Sequence, residues 1–335
     1  MPLDGIVDVG GWVAPAMELI YEQGTPAFRG QWPRIESMLE LAAPRLGRGD
    51  WAHPALELPA VPSRRARRDA WGPDRRDAGG PDQSEPPAPP IPSGVLHDNS
   101  TGRLAALDHA GVALQLISPG PSIDACLQLP SNLAAGVFAA YHRYVIAYCH
   151  DHPHRLGAVL QLHGSEPGWS AQEVADLRGE ASVRAVSLCL AVRISPEDRQ
   201  FDPLWEALED ADLPILHRPA LCARVWTPGR LLAYLRGAGV LARYPGLRFA
   251  FLAGDSETSE RAPPAAHDAG LRSRLFTVAG SSRLDPGADT ALLWASDFPL
   301  RGSLRSELES ARRALGPRAE DVLVAAPRRF LGGAG

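Results

Sequence analysis

FDPLWEALEDADLPILHRP, residues 201–219, shows the unit from which the chain is built. Leu204, Trp205 and Leu208 recur at helical spacing, and the apolar run 213–216 is bounded by Asp212 and Pro219. That is a short amphipathic helix running into a strand buried on both faces. The strand ends on a polar pair, His217 and Arg218. In βα enzymes the carboxyl ends of the strands carry the chemistry, so this pair marks a candidate site.

The same alternation extends in both directions. Residues 3–10 (LDGIVDVG) read as a first strand, followed by Gly11, Trp12 and Pro15. Further strands are predicted at 112–118, 156–162, 183–191, 213–217, 247–253, 275–280 and 291–296. Helical patterns fall between them at 103–110, 132–149, 171–177, 203–211, 228–244 and 304–315. Strands separated by helices make a parallel sheet, and eight such units predict an α/β fold, a (β/α)8 TIM barrel forming one domain over residues 1–335. A doubly wound open sheet is the alternative. No GxGxxG or GxxxxGK[ST] follows a strand, which weakens a nucleotide-binding reading.

A long Pro/Arg-rich insertion, residues 25–99, follows strand 1, with SRRARRD at 63–69 and SEPPAPPIPSG at 84–94. Its second half cannot bury a core and is expected to be a surface loop or a disordered excursion. Aspartates interrupt the arginine cluster, the pattern of a solvated charged loop rather than an anion-binding patch.

Composition narrows the functional classes. With 335 residues, 45% of them apolar, the chain suits one large barrel. A net charge of -5 gives no basic field, so no nucleic-acid partner is expected. No apolar run is long enough to span a bilayer and the N-terminus lacks a basic start with an apolar core, so a cytoplasmic protein with no membrane partner is expected. Cys126, Cys149, Cys189 and Cys222 have no CxxC spacing and read as buried free thiols. All 34 basic residues are arginine, which removes Schiff-base chemistry, pyridoxal phosphate attachment, a Walker lysine and a carboxylated-lysine metal bridge.

Several segments, in order, resemble the amidohydrolase-related family, the aminocarboxymuconate-semialdehyde decarboxylase-like branch of the metal-dependent hydrolases. They are RLAALDHAGVALQLISPGP (103–121), HPHRLGAVLQL (152–162), the opening stretch, GVLARYPGLRFAFLAGD (239–255) and ASDFP (295–299). The resemblance implies a barrel holding one divalent metal, usually zinc. Its ligands would be an HxH pair ending strand one, a histidine ending strand five and an aspartate ending strand eight, with an assisting histidine ending strand six. Imidazole and carboxylate ligands leave an open position where water is acidified or a carboxylate is gripped.

This sequence departs from that pattern. Gly10 and Trp12 stand at the HxH positions and Ala253 at the assisting histidine, leaving His217 and Asp297. Two ligands do not make a tight zinc site. The resemblance therefore implies a degenerate member: no cofactor is expected, zinc only if the site is rebuilt, with His163 and Asp255 as further donors. His217 reads either as a residual ligand or as a neutral histidine at the barrel mouth; Asp297 reads as a catalytic carboxylate, a residual ligand or a structural one. Trp12, Arg218 and Asp255 are candidate substrate contacts for a small aromatic or carboxylated ligand, since arginine grips a carboxylate through two hydrogen bonds. His142 reads as a partly exposed helical residue. The cluster 149–154, rich in histidine, precedes strand three and belongs to the amino-terminal face, away from the chemistry. Ser281, Ser282 and Ser296 have no sequence-visible base. The expected role is a non-catalytic partner subunit of a catalytic homologue, a homodimer, or a small-molecule binder. The alternative is a hydrolase or decarboxylase with a rebuilt or metal-free site.

Overall fold

The computed structural model describes residues 5–13, 15–46, 100–190, 195–217, 226, 228–252, 271, 273–280, 284, 291–299 and 303–332. Eight strands form one parallel sheet in sequence order. They are β1 (Ile6–Val13), β2 (Val112–Pro119), β3 (Leu156–His163), β4 (Val183–Cys189), β5 (Ile215–His217), β6 (Phe249–Leu252), β7 (Leu275–Gly280) and β8 (Ala291–Ala295). The sheet curls until its edges meet: Trp12 N–H donates to the Phe298 carbonyl at 2.9 Å and Ser296 N–H to Asp8 Oδ1 at 2.9 Å. This is the expected (β/α)8 barrel. β5 starts at Ile215 rather than 213, since Pro214 has no N–H to give to the ladder.

Helices cover the outside: α1 (Met17–Glu22), α2 (Pro26–Leu46), α3 (Ser100–Ala110), α4 (Pro121–Ala125), α5 (Ser131–Cys149), α6 (Pro167–Leu177), α7 (Asp202–Asp210), α8 (Pro228–Gly237), α9 (Val240–Arg243), α10 (Leu304–Leu315) and α11 (Ala326–Phe330). The start of the insertion is a packed helix, because Phe28, Trp32 and Ile35 recur at helical spacing and are buried. The rest of the insertion, 47–99, lies outside the described residues. The single helix predicted at 228–244 is two, divided by Gly239, whose φ of 69° interrupts helical geometry.

Two apolar layers hold the barrel. Inside it, Val7, Leu116, Val159, Ala185, Leu216 and Phe276 interlock, and Ala326 and Phe330 of α11 join the same cluster. Arg248, just before β6, donates to the Phe330 carbonyl at 2.7 Å, which fixes α11 across the amino-terminal end. Outside it, Phe138, Tyr141, Trp205, Phe249 and Trp294 pack between strands and helices. Fully burying side chains of this size stabilises the fold by about 1.5–3 kcal/mol each. Cys126, Cys149 and Cys189 are buried free thiols, and Cys222 lies outside the described residues. Among the described residues no helix is long and apolar enough to cross a membrane.

Candidate active site at the seam between the first and last strands

β1 carries one carboxylate within an apolar run, and that carboxylate is fully buried. Asp8 Oδ1 accepts from Gly10 N–H at 3.0 Å and Ser296 N–H at 2.9 Å; Oδ2 accepts from Gln115 Nε2 at 2.6 Å and Ser296 Oγ at 2.5 Å. Burial pushes its pKa above the usual carboxylate value, opposed by these donors. Gln115 Oε1 in turn accepts from Arg103 at 2.8 Å, while Arg103 also donates to Tyr148 Oη at 2.9 Å and the Trp12 carbonyl at 2.5 Å. Its guanidinium faces the rings of Tyr148 and Phe298. One chain of polar groups thus ties β1, β2, α3 and α5 to the end of β8. Ser296, whose sequence shows no base, donates to a buried carboxylate and holds Phe298 N–H at 3.0 Å.

Beside this chain the two edge strands come very close. A Cβ at Gly10 would stand 2.2 Å from the Ala295 Cβ and 2.9 Å from its Cα. Only glycine permits that approach. Past the seam, Trp12 Nε1 donates to Asp297 Oδ1 at 3.2 Å, and a Cβ at Gly280 would lie 3.8 Å from Asp297 Oδ2. Asp297 has a left-handed backbone, φ 55°, a conformation that aspartate tolerates better than most side chains. Both residues are half-buried at the carboxyl end of the barrel.

Trp12 and Asp297 are therefore brought together; His217 stands apart. Leu216 belongs to the interior cluster, and strand alternation turns His217 to the face of Ile215, against Phe251 at 5.8 Å. His217 Nε2–H donates to the Trp226 carbonyl at 3.0 Å, while Nδ1 is buried without a hydrogen-bond partner. Burial lowers its pKa, with the Trp226 and Leu188 carbonyls acting the other way. Arg218, Ala253 and Asp255 lie outside the described residues.

His163, at the end of β3, accepts the Ser165 N–H on Nδ1 at 3.1 Å, and its Nε2 is buried without a partner. Burial lowers its pKa too, against the opposite pull of Glu166. His142 is not partly exposed as expected but buried, because α5 turns it onto β3: Nδ1 meets Glu173 at 2.7 Å, Nε2 the Gln161 carbonyl at 3.0 Å, and its ring stacks on Trp169. In the cluster 149–154, burial pushes the Cys149 thiol up to about 12, so it is no thiolate ligand at neutral pH.

A divalent metal of the kind the resemblance implies does not fit these residues. Gly10 offers no donor and no room for one, the indole of Trp12 is bonded to Asp297, and no group of three or more His, Cys, Asp or Glu among the described residues could hold an ion.

The sequence matches no family model and no curated protein. Solved structures do match. The 5-carboxyvanillate decarboxylase from Novosphingobium aromaticivorans, solved with manganese and 4-hydroxy-3-methoxy-5-nitrobenzoic acid, is 15% identical, with a TM-score of 0.60 over 98% of this chain and 96% of that one. The fold is that of the amidohydrolase-like decarboxylases. A 2,6-dihydroxybenzoate decarboxylase from Rhizobium is 14% identical, with a TM-score of 0.54 over 72% of this chain and 90% of its own. An amidohydrolase from Mycobacterium avium is 17% identical, with a TM-score of 0.55 over 70% and 75%. At such identities the likeness is one of fold.

Reading the sequence missed Asp8, Gln115 and Arg103. A signal was present: an aspartate inside an apolar strand and an arginine four residues before the buried Leu107 are both charges in core positions.

Proposed function

We propose that the carboxyl-end mouth of this barrel takes a small aromatic or carboxylated compound and acts on it as a decarboxylase or hydrolase of the amidohydrolase-related kind, through a rebuilt or metal-free site. The observation that carries this reading is the shared fold with decarboxylases of aromatic carboxylates, one of them along 98% of the chain. In this reading the Trp12 ring supplies aromatic contact, and Asp297, aligned by the Trp12 indole, accepts or holds a proton at the reacting group. Arg218 and Asp255 follow the ends of β5 and β6 and serve as substrate contacts. His217 and Asp297 alone do not hold a metal; a rebuilt zinc site draws on further donors such as His163 and Asp255.

A second reading is favoured by one feature of the seam. The contact of Gly10 with Ala295 and the bond from Trp12 to Asp297 occupy the place where metal ligands would stand, which suits a non-catalytic binder, or a subunit paired with a catalytic homologue or with its own copy.

Carbon dioxide release from 5-carboxyvanillate and 2,6-dihydroxybenzoate, with and without added manganese or zinc, separates the two. Turnover by the chain alone that is lost in Asp297→Asn supports the enzyme. Absence of turnover, with altered activity of a co-expressed homologue that elutes with this chain on size exclusion, supports the partner subunit.

A further inference from the structure

Beneath the mouth, the interior face of β3 and β4 changes character. Val159 and Ala185 stand opposite each other across the two strands and belong to the apolar interior. Two residues on, at the next position of the same face, Gln161 stands opposite Ser187. Each is 1% exposed. Gln161 Nε2 donates to the Leu162 carbonyl at 3.0 Å, which leaves its Oε1 without a partner, and Ser187 Oγ has none. His163, two residues further along β3 at the strand end, where its ring meets Phe138 at 5.8 Å, adds the third such atom, its buried Nε2.

A buried polar group left without a hydrogen bond keeps the cost of its desolvation and lowers stability. Valine and alanine, as in the layer below, would cost nothing there. Three such groups on neighbouring positions are more than packing explains, since buried polar atoms are nearly always paired. Their chemistry is complementary to one kind of ligand group. Gln161 Oε1 accepts. Ser187 Oγ–H donates or accepts. His163 donates from Nε2, because its Nδ1 already accepts from Ser165. A group that gives one hydrogen bond and takes up to two satisfies them, and a hydroxyl does so; a carboxylate has no proton for Gln161.

We infer that Gln161, Ser187 and His163 form an interior subsite that reads a hydroxyl group on the compound bound in the mouth. This rests on the reading above that the mouth takes a small aromatic compound, but not on its being turned over. The subsite is kept at a cost in stability, so it discriminates: a ligand lacking the hydroxyl leaves all three groups unpaired.

Calorimetric titration of the full-length chain with benzoate and with 2-, 3- and 4-hydroxybenzoate tests it. At least one hydroxybenzoate should bind about tenfold or more tighter than benzoate. Ser187→Ala and Gln161→Leu should each remove most of that advantage, leave benzoate binding unchanged, and keep or raise the melting temperature, because each removes an unpaired polar group. Equal affinities for all four acids, or no binding by the wild type at millimolar probe, overturns the inference. So does an unchanged preference in both variants, which would mean that the three groups hold only buried water. Hydroxyl-dependent binding without turnover would overturn the enzymatic reading and leave the subsite standing.

Discussion

Gly10 sets how near the first strand can come to the last, and its neighbour Trp12 sets what the approach leaves open. A side chain at position 10 must displace the backbone of Ala295. Gly10→Ala is therefore expected to destabilise the fold by about 1–3 kcal/mol through overpacking, read as a lower denaturation midpoint. The larger change Gly10→His with Trp12→His, which writes an HxH pair into β1, should lower the midpoint further. It should still bring less than one equivalent of manganese by elemental analysis, because the new imidazole at position 10 has no room inside the seam. One full equivalent would show that the seam yields and that the loss of ligands alone separates this chain from a metal protein. His217 teaches a related lesson. A strand buried on both faces is apolar on both, so nothing in the run 213–216 told which residues face in. The structure places Leu216 inside and turns His217 onto Phe251.

Between elements, the polar chain from Tyr148 through Arg103 and Gln115 to Asp8 and Ser296 replaces ladder hydrogen bonds where the barrel closes. Arg103 is fully buried and serves acceptors on α5, β2 and β1 at once. Arg103→Leu should cost about 3–5 kcal/mol, since it takes the shared donor away from three acceptors, Tyr148 Oη, Gln115 Oε1 and the Trp12 carbonyl, at about 1–3 kcal/mol for each one left buried and unpaired. Guanidinium unfolding measures the loss, and a change below about 1 kcal/mol would mean that the acceptors Arg103 serves find other donors once it is gone. The eight strands and most of the helices were legible because each has its own period and punctuation: Pro228 opens one helix, and the apolar spacing of Leu304, Leu308, Ala311 and Leu315 marks another. The closure was not legible. Asp8 and Ser296 are 288 residues apart, and the irregular register between Asp8 and Gly11 decides which side chains of β1 reach β8. The helix α2 escaped notice because proline and arginine around it masked the spacing of Phe28, Trp32 and Ile35. Gln161 and Ser187 looked like ordinary polar residues until their register placed them opposite each other inside the barrel.

For the molecule as a whole, two buried histidines set the response to acid. The folded state holds His163 and His217 neutral, with pKa values below the usual 6.5, whereas the unfolded chain takes up protons near that value. Their contribution is fully present above about pH 6.5 and is lost as pH falls through the folded-state values. The urea midpoint should therefore be lower at pH 5.5 than at pH 7.5, and the double variant His163→Leu with His217→Leu should flatten that difference. Asp8 runs the other way: its raised pKa means that its own titration removes stability as pH rises above about 3.9. At the amino-terminal end, Phe330→Ala should cost about 3–5 kcal/mol, because its ring fills the barrel floor against Phe276 at 5.3 Å. That floor also fixes a timetable. A ribosome adds roughly 5–20 residues per second, so Asp8 waits on the order of 15–60 s for Ser296 to be made. Phe330 comes later still. Throughout that interval the nascent chain is an unsealed curved sheet whose apolar inner wall has nothing to cover it. Recombinant yield should depend on holding chaperones and on cool, slow expression more than on the strength of any single contact in the finished barrel.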